Sequence, residues 1–288
     1  MRKSEIDDVT GVETTGHEWD GVKELNKPLP RWWLLTFYAT ILWAIGYWIV
    51  YPAWPTFTGY TKGVFGYSQR TTVADEVKAA HAAQGQFREQ LDNTPLDQIR
   101  NSSDLLRFAI AGGAAAFQTN CGPCHGRGAQ GFTGYPNLND DDWLWGGAIT
   151  DIHRTISVGI RSDQKDTRAS LMPRYGLDKL MDDAQINDAA EFILSLTAKS
   201  TDPIAVGRGQ KLFAEQCASC HGADGKGQQE QGAPNLADEI WLYGGAKPAI
   251  VESIRTGRGG MMPAWAGRLD PVTIKALSVY VHSLGGGK

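Results

Sequence analysis

The sequence predicts an all-α chain: one N-terminal transmembrane helix followed by two tandem helical domains. Three observations predict it. Residues 32–51 form a run of 20 residues without a formal charge, WWLLTFYATILWAIGYWIVY. After residue 104 the sequence repeats itself in order and spacing: AAFQTNCGPCHG answers KLFAEQCASCHG, GYPNLNDDDWLWGG answers GAPNLADEIWLYGG, and MPRY answers MPAW. Within each repeat the apolar residues recur at helical spacing, and no stretch alternates convincingly as a strand.

The apolar run justifies the first element. At ~1.5 Å of rise per residue it covers the ~30 Å hydrocarbon core of a bilayer. Trp32 and Trp33 flank one end, Tyr51 and Trp54 the other, where interfacial aromatics sit. Pro52 and Pro55 stop the helix just outside. A soluble helix apolar on every face would need a larger protein around it. A cleaved signal would be shorter, start earlier and end in an A-x-A-like site, so the run reads as a retained anchor.

Residues 1–31 precede it as a leader, with five basic and seven acidic residues and little apolar periodicity. Residues 52–103 read as a linker: irregular to residue 70, then a polar helix from Thr72, its cap, to Leu91, then a second break. The repeat divides the remainder into domains 104–199 and 202–286, joined near Lys199–Asp202. Their main difference is SDQKDTRASL, residues 162–171, a polar insertion that the second repeat lacks. The last helix is the clearest: Asp270 caps it, Pro271 occupies its first turn, and Ile274, Leu277, Val281 and Leu284 form one apolar stripe. Each domain combines short helices and long Gly-rich loops with a small core, so something else must fill it. A formal net charge of -4 argues against nucleic acid as a partner.

The chain has four cysteines, and they lie in two copies of one motif, Cys-x-x-Cys-His. That motif reads as covalent haem attachment. Residues i and i+3 at a helix start share a face, so both thiols reach the vinyl edge of one porphyrin. Cys121 and Cys124 would hold one haem, with His125 on its iron; Cys217 and Cys220 would hold the second, with His221. A zinc site needs further ligands at matching spacing, and one zinc shared by all four thiolates leaves both histidines unexplained. A thioredoxin-like dithiol would sit in a βαβ pattern, which is absent. The expected cofactors are therefore two covalently bound c-type haems, in cytochrome c-like domains.

The repeat also supplies the sixth ligands. Met172 and Met262 occupy equivalent places, each followed by proline and, two residues later, by an aromatic. A thioether is a soft ligand, and His/Met ligation raises a haem's potential relative to His/His. Met261 competes with Met262, but only Met262 matches Met172; Met181 has no counterpart. Pro136 and Pro234 repeat too, and a proline carbonyl beside the axial histidine would fix its tautomer; both also read as ordinary turn prolines. Trp143 and Trp241 suit a haem edge or a propionate as well as simple core packing. Arg154, Arg255 and Arg258 are candidate propionate partners. His17, His81, His153 and His282 read as non-ligands, and Asp140–Asp142 as a solvated loop. With both axial positions filled, neither iron offers a place for substrate, so the expected role is electron transfer. Covalent haem attachment belongs to exported segments, which places residues after the anchor outside the bacterial inner membrane, in the periplasm, and the leader in the cytoplasm.

The leader and anchor, TTGHEWDGVKELNKPLPRWWLLTFYATILW at residues 14–43, resemble those of the diheme subunit (subunit P, or subunit III) of cbb3-type cytochrome c oxidases. The resemblance extends through PNL, WL-x-GG and the ending YVHSLGGGK. It implies an electron-transfer subunit that accepts electrons from a cytochrome c or a quinol–cytochrome c reductase. Electrons would pass through a monohaem subunit to the catalytic, oxygen-reducing, proton-pumping subunit. It also implies His/Met ligation of both haems, which maps onto His125 with Met172 and His221 with Met262. Some relatives have two membrane helices; this chain has room for one. Two other classes compete: a free-standing membrane diheme shuttle, which should lack the PLPRWW leader, and a diheme peroxidase, which needs an iron able to open its sixth position.

Overall fold

Charge-free sequence and proline punctuation produce the long helix α1, Arg31–Val50, in a computed structural model that describes residues 5–285. The ends of the expected leader and second domain, residues 1–4 and 286, lie outside the described residues. The chain divides into two compact units between Ala80 and His81.

In the first unit, Pro30 precedes α1 and Tyr51 turns extended after it; no residue of α1 is buried. The irregular segment that follows folds back onto the helix end. Val64 N–H donates to the Ile49 carbonyl at 3.0 Å and Phe65 N–H to the Val50 carbonyl at 3.1 Å, which satisfies two carbonyls that the helix itself leaves open. Gly63, at φ +70°, permits that approach. Aromatic rings gather there: Trp48 meets Trp54 at 4.9 Å and Tyr51 meets Phe65 at 5.6 Å between centroids. The leader is not without regular structure. Strands β1, Thr14–Trp19, and β2, Val22–Leu25, pair antiparallel across Asp20–Gly21, both at positive φ. Asp-Gly is a hairpin signal that the search for long periodic stretches passed over.

The predicted helix from Thr72 to Leu91 is two helices, α2, Gln69–Ala83, and α3, Gly85–Asn93, separated at Gln84 beside the helix-weakening Gly85. In the second unit, α3 and a 3-10 turn at Leu96–Asn101 bury Leu91 and Ile99 fully against Leu105, Ala109, Ala276 and Val279. Residues 85–101 are therefore part of a core rather than linker. The remaining helices are α4 (Ser103–Asn120), α5 (Gly122–His125), α6 (Ile149–Val158), α7 (Asp183–Ser195), α8 (Pro203–Gln216), α9 (Ala218–His221), α10 (Lys247–Thr256) and α11 (Pro271–Ser283). As predicted, Asp270 caps α11, accepting from Thr273 N–H at 3.1 Å.

The sequence repeats and the tertiary halves do not coincide. Helix α11, from the second repeat, packs on α4 and α6 of the first; α7, from the first repeat, packs on α8 and α10 of the second. One core joins Phe117, Ile152 and Ile156 to Ile274, Leu277 and Val281. The other joins Tyr175, Met181, Ile186 and Ile193 to Phe213, Ile250 and Ile254. The expected domain spans 104–199 and 202–286 thus describe the repeats, while each folded half takes its closing loop and helix from the other repeat. The reason is physical equivalence. Gly113 lets Ala276 and Tyr280 of α11 close on α4, and Gly209 lets Asp188 and Phe192 of α7 close on α8. Two receiving helices with the same notch accept either closing helix, and exchanging equivalent elements costs little. The short link from Leu196 to Asp202 then keeps α7 beside α8.

Candidate haem sites

Each Cys-x-x-Cys-His motif sits where one helix ends and a single turn begins. Ser102 caps α4 at its start, and Cys121 ends it while opening α5. His125 N–H then donates to the Cys121 carbonyl at 2.8 Å and Cys124 N–H to the same oxygen at 3.1 Å. The second motif repeats this: His221 and Cys220 donate to the Cys217 carbonyl at 2.9 and 3.1 Å. One tight turn therefore presents two thiols and an imidazole together. No disulfide joins any of the four cysteines. Burial pushes the Cys121 and Cys217 thiols up to about 11, helped by the neighbouring Cys124 and Cys220.

The histidines are held as the sequence suggested. His125 Nδ1 lies 3.1 Å from the Pro136 carbonyl, and His221 Nδ1 3.0 Å from that of Pro234. A carbonyl only accepts, so Nδ1–H donates and Nε2 keeps a free lone pair for a metal. Desolvation lowers both imidazole pKa values, against a smaller raising effect of the proline carbonyls. Both rings are therefore neutral at neutral pH, the state that binds iron. Gly131 (φ +68°) and Gly227 (φ +80°) make room for the two proline segments; a Cβ on either would stand 2.7 Å from the proline carbonyl carbon.

The methionines are where the repeat places them in sequence, but not in the halves it implies. Met262 packs on the core that includes Cys121, Trp143 and Trp265; Met172 packs on the core that includes Cys217 and Trp241. Met262 and Ile160 exchange two backbone hydrogen bonds of 3.0 Å, and Trp265 N–H donates to the Ile156 carbonyl at 3.1 Å. In the mirror half, Tyr175 N–H donates to the Ile254 carbonyl at 3.2 Å, and the Tyr175 hydroxyl to the Gln216 carbonyl at 2.6 Å, one residue before Cys217. The first methionine loop thus packs on the core of the second haem-attachment turn and the second loop on the core of the first, crosswise to the expected pairing of His125 with Met172 and His221 with Met262. Met261 is 71% exposed, and Met181 is core filling.

Trp143 and Trp241 pack against Gly147 and Gly245 at the edges of these cores. Of the arginines singled out, Arg255 bonds Asp183 at 2.7 Å and Arg258 lies over Tyr243; Arg154 is exposed. Arg168, in the 162–171 insertion, is buried and escaped sequence reasoning because the second repeat offers nothing to align with it. Asp142 is half-buried, and burial, then Asp238 and Asp140, raise its carboxyl to about 6. A neutral imidazole with a free Nε2, a thioether and two thiols around each core is a donor set that fits a c-type haem.

Comparison with known proteins agrees. The profile "N-terminal domain of cytochrome oxidase-cbb3, FixP" matches residues 11–58, "Cytochrome c" matches 110–197, and "Cytochrome C oxidase, cbb3-type, subunit III" matches 205–281. A cbb3-type cytochrome c oxidase subunit FixP from Bradyrhizobium sp. (strain ORS 278) is 52% identical over 286 residues, 99% of each chain. The CcoP subunit of Azospirillum brasilense is 49% identical over the full length of both chains, and that of Cereibacter sphaeroides 50% identical over 96% of this chain and 95% of its own. Two haem-attachment turns, two thioether loops, one apolar anchor and this likeness along the whole length lead to one conclusion: the chain belongs to the family of diheme, electron-transferring subunits of cbb3-type cytochrome c oxidases.

Proposed function

We propose that the chain relays electrons through two His/Met haems whose methionines are exchanged between the repeats: His125 with Met262, and His221 with Met172. The single observation that carries this is the backbone clasp between Ile160 and Met262, which fastens the second methionine loop to the first haem-attachment half. The bound haems supply one-electron exchange. Cys121, Cys124, Cys217 and Cys220 would hold them, Pro136 and Pro234 keep each imidazole in the Nδ1–H tautomer, and the histidines and methionines would supply the iron ligands, leaving no position for substrate.

The N-terminal hairpin lies in the cytoplasm, α1 crosses the inner membrane, and the haem-bearing unit stands in the periplasm. Electrons enter from a cytochrome c or a quinol–cytochrome c reductase and leave through a monohaem subunit towards the catalytic, oxygen-reducing subunit. Detergent purification with intact-mass analysis tests the reading. The expected result is a chain heavier than its polypeptide by two haems, travelling with an oxygen-reducing partner. A chain of bare polypeptide mass without Soret absorbance would refute it. Replacing Pro28–Trp33 should weaken the association and leave haem attachment intact.

A further inference from the structure

Arg168 is the outlier among the charged residues. It is 9% exposed, and its Nε is the one buried side-chain nitrogen or oxygen without a hydrogen-bond partner among the described residues. Its Nη2 makes only long contacts with Asp151, 3.3 Å to the carbonyl and 3.5 Å to the carboxylate. The Asp151 side chain is 44% exposed, so water screens it. Arg154 acts on Arg168 with the same sign of charge. The guanidinium lies over the Trp145 ring at 5.1 Å, an apolar floor on its face. A buried cation with an unused donor is costly unless an anion completes it.

The backbone fixes which half receives this fork. Arg168 N–H donates to the Gly159 carbonyl at 3.3 Å, and the Arg168 carbonyl accepts from Arg161 N–H at 2.7 Å. Ile160, between them, bridges to both Arg168 and Met262. Asp151 precedes Ile152 on α6, in the core that includes Cys121. The insertion thus delivers a guanidinium to the half of Cys121, His125 and Met262, and the second repeat has no equivalent segment.

We infer that Arg168 is a positioning residue that holds a propionate carboxylate of the haem attached at Cys121 and Cys124, with its free Nε as the donor reserved for it. The inference rests on the exchanged pairing proposed above. Guanidinium and carboxylate match as a planar fork, and the pair offsets the burial of each charge. It also tunes the haem. Without the cation, an unpaired carboxylate stabilises the ferric iron or takes up a proton.

The test is a redox titration of the full chain in which Arg168→Met, Arg168→Lys and Asp151→Asn are compared with the native protein at several pH values. For Arg168→Met, haem stays covalently attached. One of the two waves falls by at least a tenfold change in the oxidised-to-reduced ratio, about 59 mV for one electron. That wave also becomes pH-dependent in the neutral range, and it is the wave that Met262→Leu moves. Arg168→Lys, which keeps the charge, recovers more than half of the shift. Asp151→Asn leaves the potential in place. The inference is overturned if Arg168→Met and Arg168→Lys leave both waves unchanged while Met262→Leu moves one. It is equally overturned if Asp151→Asn reproduces the shift, or if the affected wave is the one Met172→Leu moves. An unchanged Arg168→Met wave beside an intact Met262 effect separates its failure from failure of the exchanged pairing.

Discussion

Gly159→Ala should detach Met262 from the haem held by Cys121, although Gly159 belongs to the other methionine's repeat. Gly159 has φ +70°, and a Cβ there would lie 2.7 Å from Ala264 N and 2.8 Å from the Pro263 carbonyl carbon. The Met262 carbonyl oxygen would be closer still, and ordinary contact begins near 3.4 Å, so the loop must retreat by roughly 1 Å. The left-handed backbone adds about 1–2 kcal/mol of strain. The assay is the thioether-to-iron charge-transfer band of the ferric protein, measured in a Cys217→Ala/Cys220→Ala background that keeps only the first covalent haem. Gly159→Ala and Met262→Leu should each remove most of that band. Gly267→Ala is the control: φ is +84°, but no atom lies within 4 Å of the added Cβ, so it costs similar strain and keeps the band. Gly257→Ala, whose Cβ would press on the Met172 carbonyl at 2.5 Å, should also keep it. Loss of the band in Met172→Leu, with retention in Met262→Leu, would refute the exchanged pairing.

Other outcomes follow from single contacts. Lys275 Nζ donates to the carbonyls of Leu91, Asp92 and Thr94 at 2.9, 2.7 and 2.9 Å, closing the end of α3; Lys275→Met should cost about 2 kcal/mol and open residues 85–101 to protease before the haem cores. Asp142 has a folded pKa raised to about 6 from 3.8, so its ionisation opposes folding: between about pH 4 and pH 6 the native state holds more protons, and its contribution to stability declines as pH rises. Thermal melts of Asp142→Asn should be less sensitive across that window and higher at neutral pH; an unchanged pH profile would count against the buried-carboxylate account.

How much of the site was legible depended on how local its physics is. Cys121, Cys124 and His125 need only one turn of helix to be brought together, so four consecutive spacings announced them. Pro136 and Pro234 were legible as repeated prolines, but their carbonyls reach the histidines through Gly131 and Gly227, a closeness that only the fold displays. The Asp20–Gly21 hairpin carried a turn signal in plain sight. The packing of Leu91 and Ile99 carried none, because two apolar residues in a polar stretch do not form a period. Arg168 could not be found by aligning repeats, since it lies in the segment that has no partner.

From sequence alone came the apolar anchor helix and the two haem-attachment motifs, which rest on composition and on spacing within a few residues, and the family, which rests on the resemblance of the leader and anchor to those of its members. Which methionine loop packs on which core was decided by tertiary structure. The two repeats present the same notch at Gly113 and Gly209 and the same closing helices in α11 and α7. A code of equal parts cannot specify its own pairing; the connection between α7 and α8 and the packing of the two cores do.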